Sequence, residues 1–471
     1  MSVARTLFRL TLLAGALSPG LAHAAGLDGS QLSLLWALPF AGLLLSIALF
    51  PIVAPEVWHH HFGKISLGWA LAFLLPCALW LDPATAGGVV VHAMVDEYLP
   101  FIVLLFALYT ISGGILITGN LHGSPALNTG LLALGAACAS LMGTTGAAML
   151  LIRPLLRAND NRRHNVHVVV FFIFLVGNIG GGLTPIGDPP LFLGFLKGVS
   201  FAWTFSNMLL PVLSACLILL VVFYLLDSYY YRKEGVLPRD PTPDNARLGI
   251  QGVFNFALLA GVVGAVLMSG MWQPGLELNV LGVKVGIQNL LRDGILLTLA
   301  GASLALTPTT LRDANEFNWG PIAEVGKLFA AIFITMAPAI AILRAGPQGD
   351  LAALVALVSS ADGSPINPMY FWLTGSLSSF LDNAPTYLVF FNLASGDATQ
   401  MMTEYSATLL AISAGAVFMG ANSYIGNAPN FMIKAIAEQR GVPMPGFFGY
   451  MGWAWVFLFP LFVLLTLVFF R

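Results

Sequence analysis

Long apolar stretches recur along the chain, and most have the length that a helix needs to cross a lipid bilayer. A helix spans the hydrocarbon layer in about 20 residues. Stretches of this kind predict crossings at residues 33–53, 66–84, 98–118, 166–196, 205–226, 253–271, 286–306, 321–343, 405–438 and 447–470. The pattern is therefore typical of an all-α polytopic membrane protein with about ten transmembrane crossings.

Two further apolar stretches carry Gly, Pro and polar residues at their centres. They cover residues 127–156 and 369–395. Irregular backbone at membrane depth is tolerated only inside protein or beside a water-filled cavity. We therefore predict two re-entrant hairpins, each entering and leaving the bilayer on one side.

The same order of elements occurs twice, with five crossings and one hairpin in each half. An odd number of crossings inserts the second half upside down, which predicts two inverted repeats. The expected units are a first repeat at 26–226, a linker at 227–250 and a second repeat at 251–471. The sequence from Ile186 to Phe192 matches that from Ile425 to Phe431 at an offset of 239 residues, although chance likeness of Gly- and Pro-rich segments is an alternative.

Residues 1–25 have the layout of a secretory signal peptide, with Arg5 and Arg9 before a short apolar run. A true first span is the alternative. Most other Lys and Arg residues fall on one predicted side of the membrane, together with the linker. The positive-inside rule then predicts that the linker is cytoplasmic and that the C-terminus lies on the opposite side.

Composition excludes several classes of protein. Only 9% of residues are charged and 58% are hydrophobic, against about 25% charged in soluble domains, so a water-soluble enzyme is excluded. The net charge of −2 provides no basic field for nucleic acid. No Walker motif, G-x-S-x-G or H-E-x-x-H occurs in the sequence, and we predict no enzymatic activity and no cofactor.

Four polar breaks interrupt the apolar segments, at 143–146, 178–190, 378–385 and 420–430. In the second break, three consecutive glycines are followed by three prolines within six residues, which a regular helix cannot accommodate. Unwound backbone and broken-helix ends near the bilayer midplane are how transporters bind small cations. The breaks therefore predict a central binding site.

Asp188 and Asp382 lie within these predicted membrane elements. An ionised carboxylate there costs roughly 2.5–3.5 kcal/mol, so each group is expected to hold either a proton or a sodium ion. Capping of the broken helices is the alternative role. Neutral oxygens for the same ion-binding site are predicted from Thr144, Thr145, Asn178, Thr184, Asn383, Asn422, Ser423 and Asn427, with helix packing as the alternative for each.

Other charged residues fit simpler roles. We expect Arg153 to extend toward the membrane surface and Asp96 and Glu97 to be solvated at the end of a crossing. The run His59–His61 is expected in a loop at the membrane edge.

At the motifs Asn178-Ile179-Gly180, Thr184 to Asp188 and Asp382 to Pro385, the chain resembles the ion transporter superfamily. That superfamily groups NhaD-type sodium/proton antiporters, ArsB-type arsenite permeases, and citrate or dicarboxylate carriers. The resemblance covers roughly residues 50–470 and implies that Asp188 and Asp382 bind the cation and the proton. It also implies a scaffold and a transport domain, often in a homodimer. The likeness to bacterial proteins implies a bacterial inner membrane, with the C-terminus in the periplasm. The Ser-Asn-Thr triplets of the dicarboxylate branch are replaced by Gly143-Thr144-Thr145 and Leu381-Asp382-Asn383.

Three functions are compatible with the sequence. The first is a secondary transporter that exchanges Na⁺, or Li⁺, for H⁺ through paired intramembrane aspartates. The second is sodium- or proton-coupled transport of an organic anion such as citrate. The third is a passive channel or a membrane scaffold. The expected partners are membrane lipid and a small cation or organic anion.

Overall fold

The computed structural model describes residues 27–119, 121–235, 249–360 and 362–471, except for the side chain at 347. The signal-like segment 1–25 and residues 236–248 of the predicted linker lie outside the described residues. Within the described part, ten helical stretches are long and apolar enough to cross a membrane. The all-α polytopic membrane fold is confirmed.

The first half begins with helices that correspond to the first three predicted crossings. These are α1 (Leu38–Val53, after a 3₁₀ turn Leu34–Ala37), α2 (Pro55–Pro76, extended by a π turn Cys77–Leu81), α3 (Pro83–His92, followed by a π turn Ala93–Tyr98) and α4 (Leu99–Ser112). Helix α2 starts 11 residues earlier than predicted, because Pro55 is well placed at a helix start and His59–His61 continue the helix. The loop prediction for His59–His61 was therefore wrong.

The remainder of the first half contains a helical hairpin, a broken helix and a long helix. The hairpin comprises α5 (Pro125–Met142) and α6 (Thr144–Ala158), and the broken helix comprises α7 (Val166–Leu175), a 3₁₀ turn (Ile179–Leu183) and α8 (Pro189–Leu196). The long helix α9 (Phe201–Glu234) continues into the predicted linker, with Asp227 fully buried. The first residues of that linker are therefore helical.

The second half repeats this order of elements. Its helices are α10 (Phe254–Met271), α11 (Ile287–Leu306), α12 (Thr309–Ala314), α13 (Gly320–Arg344), α14 (Ala352–Val358), the hairpin α15 (Asn367–Ser378) and α16 (Asn383–Ala394), α17 (Ala398–Met402), the broken helix α18 (Ser406–Met419), 3₁₀ turn (Gly420–Asn422) and α19 (Ala428–Gln439), and α20 (Phe447–Phe469). Two antiparallel pairs of short strands lie between helices: β1 (Leu116–Thr118) with β2 (Gly249–Gln251), and β3 (Glu277–Val280) with β4 (Val283–Gly286).

The helices form two packed groups. We name the first group the scaffold, after the division that the resemblance implies; it comprises α1–α4 and α10–α13, in which α13 packs on α2 and α4, and α11 packs on α4 and α10. We name the second group the transport body; it comprises both hairpins and both broken helices, with α9 and α20 packed along it. The two groups meet where α13 contacts α16 and where α4 contacts α6. This contact places the polar breaks of the transport body beside the scaffold.

Equivalent hydrogen bonds recur in the two halves at one constant offset. The Thr184 hydroxyl donates to the Ser140 carbonyl oxygen, and the Ser423 hydroxyl donates to that of Ser379. Both donors and both acceptors are 239 positions apart. These contacts are compatible with the predicted inverted repeat. They also make Asn383 the counterpart of Thr144, and Asn427 the counterpart of Asp188.

Candidate ion-binding site

Four helices of the transport body start at one place. Helices α6 and α16 begin at the tips of the two hairpins, and α8 and α19 begin after the two breaks. At the first tip, Gly143 has φ +79°, a conformation that favours glycine and lets the chain reverse. Prolines in the first turns of α8 and α19 suit these helix starts because the amides they remove have no intrahelical partner.

The Asp188 carboxylate lies at the centre of this meeting point. Its Oδ1 accepts hydrogen bonds from the Thr144 hydroxyl and the Asn427 amide, both at 3.1 Å, and its Oδ2 accepts one from the Asn383 amide at 2.6 Å. The three donors come from three other segments of the transport body. The side chain is 1% exposed, and it makes no ion pair with any Lys, Arg or His of the described ranges.

A chain of amides supports the Asn427 side chain. Asn427 Nδ2 also lies 3.2 Å from Asn178 Oδ1, and Asn178 Nδ2 donates to Asn430 Oδ1 at 2.7 Å. Asn430 in turn donates to the carbonyl oxygens of Gly420 and Ser423. All three amides are buried. This network joins the two breaks and holds an amide donor against Asp188.

Asp382 and Asn383 form the tip of the second hairpin. Asp382 is half-buried and caps α16, since its Oδ1 accepts the backbone N–H of Ala384 at 3.1 Å. It is close enough to Asp188 to interact with it electrostatically. The Asn383 Oδ1 atom is buried and has no hydrogen-bond partner among the described residues. The tip therefore brings a second carboxylate and an unpaired acceptor oxygen near Asp188.

The other predicted ligands divide into two groups. The hydroxyl groups of Thr184 and Ser423 donate hydrogen bonds to backbone carbonyls of the neighbouring hairpins. These bonds hold the two breaks against the hairpins. Asn422 is half-buried and donates to the Ser379 hydroxyl at 2.9 Å, whereas Thr145 borders the cavity that Asp188 also borders. The sequence prediction omitted Ser140, Ser379 and Asn430, although the 239-residue spacing of the two serines is itself a signal.

Two cavities lie along the boundary between the transport body and the scaffold. A small one of about 80 Å³ is bordered by Asp188, the first hairpin tip, α4, the start of α13 and the start of α19. Its border contains no Lys, Arg or His among the described residues. A larger one of about 1060 Å³ lies beside the C-terminal half of α13, and its border includes Glu97, Lys197, Lys284 and Arg344.

Two predictions for charged residues were wrong. Arg153 is 6% exposed and binds Glu316 at 3.0 Å, so its guanidinium group is paired and buried, whereas an extended side chain would be exposed. Glu97 is 8% exposed and pairs with Lys197 at 2.5 Å, so it is not solvated. In both cases the partner is far away in the sequence, and its opposite charge offsets the cost of burying the charged group.

The residues of this site are of a kind that can hold a proton or a cation. A buried carboxylate without a cationic partner is costly unless it is protonated or binds a cation. Hard cations prefer oxygen ligands. The Thr144 hydroxyl lies 3.1 Å from the Asp188 carboxylate, and Asn383, whose amide nitrogen faces Asp188, has an unpaired Oδ1.

Comparison with known proteins gives one family. A family model described as "Putative citrate transport" matches residues 29–470. No curated protein sequence matches the chain. Among solved structures, the crystal structure of the Alcanivorax borkumensis YdaH transporter is similar at 12% identity with a TM-score of 0.42, over 94% of this chain and 98% of that chain.

Proposed function

Because the chain belongs to the family described as "Putative citrate transport", it is a secondary transporter and not an enzyme, and we propose that it exchanges Na⁺ for H⁺ at Asp188. The observation that carries this proposal is a buried carboxylate that has three neutral donors and no cationic partner among the described residues. Burying the charge of such a group is costly, and a proton or a metal cation removes that cost. Binding one excludes the other, which is the chemical basis of exchange.

The neutral ligands support a small monovalent cation. When Na⁺ replaces the proton, Asp188 supplies the charge. Rotation of the Asn383 amide, whose Nδ2 faces Asp188, brings its unpaired Oδ1 to the ion. Asp382 lies close enough to add to the negative potential. In this mechanism Asp188 binds the exchanged ions, and Asp382 attracts the cation while it caps α16. We further propose insertion in a bacterial inner membrane with the linker in the cytoplasm, because most basic residues share its side.

The direct test is ion exchange in everted membrane vesicles. Respiration acidifies the lumen, and NaCl is expected to collapse this pH gradient in wild type but not in Asp188→Asn, which keeps the size of the side chain but cannot release a proton. Choline chloride controls for chloride and osmolarity. Asp362→Asn, in an exposed loop, is the matched control and should behave as wild type. Equal responses of Asp188→Asn and wild type would rule out Asp188 as the exchange site.

Coupled citrate transport is the second candidate, favoured by the description of the family. In that case Asp188 would bind the coupling cation, and citrate would need separate cationic ligands. Lys197, Lys284 and Arg344 border the larger cavity, but Asp28, Asp96 and Glu97 border it too, so its charge is balanced. Uptake of labelled citrate into proteoliposomes under a sodium gradient separates the two functions. Sodium-dependent accumulation would contradict simple exchange.

A further inference from the structure

The four helices that begin at the ion-binding site each carry a polar group that binds the scaffold, either in the second half of the helix or just after its end. From Thr144, α6 leads to Arg153, and from Asn427, α19 leads to Arg440 immediately after its end. Both arginines bind Glu316, which lies in the scaffold between α12 and α13. We call these three residues the Glu316 cluster.

The other two helices lead to a second cluster on the opposite side of the site. From Asp188, α8 leads to Lys197, whose ammonium group binds Glu97 of the scaffold at 2.5 Å. From Asn383, α16 leads to Asn392, whose Oδ1 accepts a hydrogen bond from Arg344 at the end of α13. We call these four residues the Glu97 cluster.

One residue of each cluster follows the same offset as the site itself. Arg153 and Asn392 are 239 positions apart, as are Thr144 and Asn383. Glu316 precedes the N-terminus of α13, whereas the Glu97 cluster borders the large cavity beside the C-terminal half of that helix. The scaffold therefore holds the transport body at both ends while Asp188 is buried between them.

We propose that the Glu316 cluster and the Glu97 cluster are two ionic gates, and that alternating access requires each to open while the other stays closed. A transport body that moves against the scaffold must separate Arg153 and Arg440 from Glu316 to expose the site at one end. It must separate Lys197 from Glu97 to expose it at the other. The structure, with both clusters formed and Asp188 1% exposed, is an occluded conformation.

The strength of the Glu316 cluster suits a gate that opens in every cycle. The Arg440–Glu316 pair is about half exposed on both side chains, and exposed ion pairs are weak because water and salt screen them. Arg153 is far less exposed but shares the same carboxylate. The proposal needs only a secondary transporter, so it holds for either transported ion.

Thiol labelling at two positions of α13 tests the gates. Ile322 borders the small cavity on the Glu316 side, and Ala337 borders the large one on the Glu97 side. Ile322→Cys and Ala337→Cys are made singly in a background where Cys77, Cys138 and Cys216 are replaced by Ala. The purified protein is labelled with a charged maleimide in detergent, where both ends face one solution and no membrane orientation is needed.

Each gate should control the labelling rate of the cysteine on its own side. Glu316→Gln is expected to raise the labelling rate of Ile322→Cys roughly two- to fivefold, the range for a partly exposed ion pair, and to leave or lower that of Ala337→Cys. Glu97→Gln should have the opposite pattern. The matched control is Glu438→Gln, which removes an ion pair with Lys434 inside α19 and should change neither rate.

A charge swap separates gating from general damage to the fold. The double variant Glu97→Lys with Lys197→Glu restores the pair in reverse and should return the labelling of Ala337→Cys to the wild-type rate. The proposal is overturned if Glu316→Gln raises the labelling rates of both cysteines equally, or if neither gate variant alters a labelling rate. It is also overturned if Ala337→Cys is labelled as fast in the charge-swap variant as in Glu97→Gln. Because citrate and sodium are absent from the assay, failure here leaves the proposed exchange reaction untouched.

Discussion

The carboxylates of the two aspartates in the site make different hydrogen bonds. Asp382 fulfils the capping role, since it accepts the N–H of Ala384. Asp188 also precedes a helix but makes no capping bond, and its oxygens are bound by side chains of three other segments. The constant offset makes Asn427, a neutral amide, the counterpart of Asp188. The site is thus chemically asymmetric within a repeated framework, and this asymmetry concentrates charge on Asp188.

Two substitutions of Asp382 separate capping from charge. Asp382→Asn retains a good cap and removes the charge, whereas Asp382→Ala also removes the cap, which costs about 1 kcal/mol. We expect Asp382→Asn to unfold at the wild-type temperature in detergent but to need more NaCl for half-maximal exchange, and Asp382→Ala to be less stable as well. If Asp382→Asn exchanges with wild-type sodium dependence, the carboxylate acts only as a cap.

At the level of elements, the polar breaks were the most predictable part of the fold. Both hairpins and both broken helices turn where Gly, Pro and amide residues interrupt the apolar segments, because those residues cannot continue a helix. The first crossings were less predictable. The polar residues Glu56, His59–His61 and Lys64 lower the hydropathy of the first turns of α2, so the apolar pattern begins well after the helix does.

Gly187 shows why one break requires glycine. A Cβ atom there would lie 2.1 Å from the carbonyl oxygen of Gly181, a backbone atom that cannot move aside. We expect Gly187→Ala to destabilise the protein by about 1–3 kcal/mol or more, as overpacking does, which thermal unfolding in detergent measures. Gly301→Ala in α11 meets no atom within 4 Å and should be neutral or stabilising by about 0.5–1 kcal/mol. Equal melting temperatures of the two variants would contradict this account.

The Glu316 cluster makes a prediction about pH. Burial alone would raise the pKa of Glu316, but the hydrogen bonds and charges of Arg153 and Arg440 outweigh it and hold that pKa below its usual range. A depressed pKa means that the ion pairs are complete above the ordinary Glu value of about 4.3 and are lost only as the pH falls through the lower folded value.

The Glu316 gate should therefore not respond to pH near neutrality. The labelling rate of Ile322→Cys is divided by that of a small free thiol, which removes the effect of thiolate formation. We expect this ratio to stay constant between about pH 6 and 8. The same ratio in Glu316→Gln, measured in parallel, should be higher but equally flat. A ratio that rises toward pH 6 in the wild-type background, and not in Glu316→Gln, would show that the carboxylate is protonated in this range.

At the scale of the whole molecule, the sequence predicted polar residues within single segments but not the ion pairs that join distant segments. Asp188, Thr144, Asn383 and Asn427 were predicted, because polar groups in apolar segments stand out. Glu316 was not, since it lies 163 positions from Arg153 in a short loop and nothing local distinguishes it. The burial of Arg153 and Glu97 depends on such partners, so surface positions predicted from one segment alone were wrong for both.

Sodium binding at a site made by four segments should stabilise the whole transport body. A ligand that binds only the folded state adds RT ln(1 + [L]/Kd), about 2.7 kcal/mol at a hundredfold excess over Kd. We expect NaCl to raise the melting temperature of the detergent-solubilised protein, and choline chloride at the same concentration not to do so. Because Na⁺ must displace a proton from Asp188, the stabilisation should weaken as the pH is lowered. Asp188→Asn, which has no charge to offer, should show no sodium-specific shift at any pH, and a shift that survives in this variant would place the cation elsewhere in the protein.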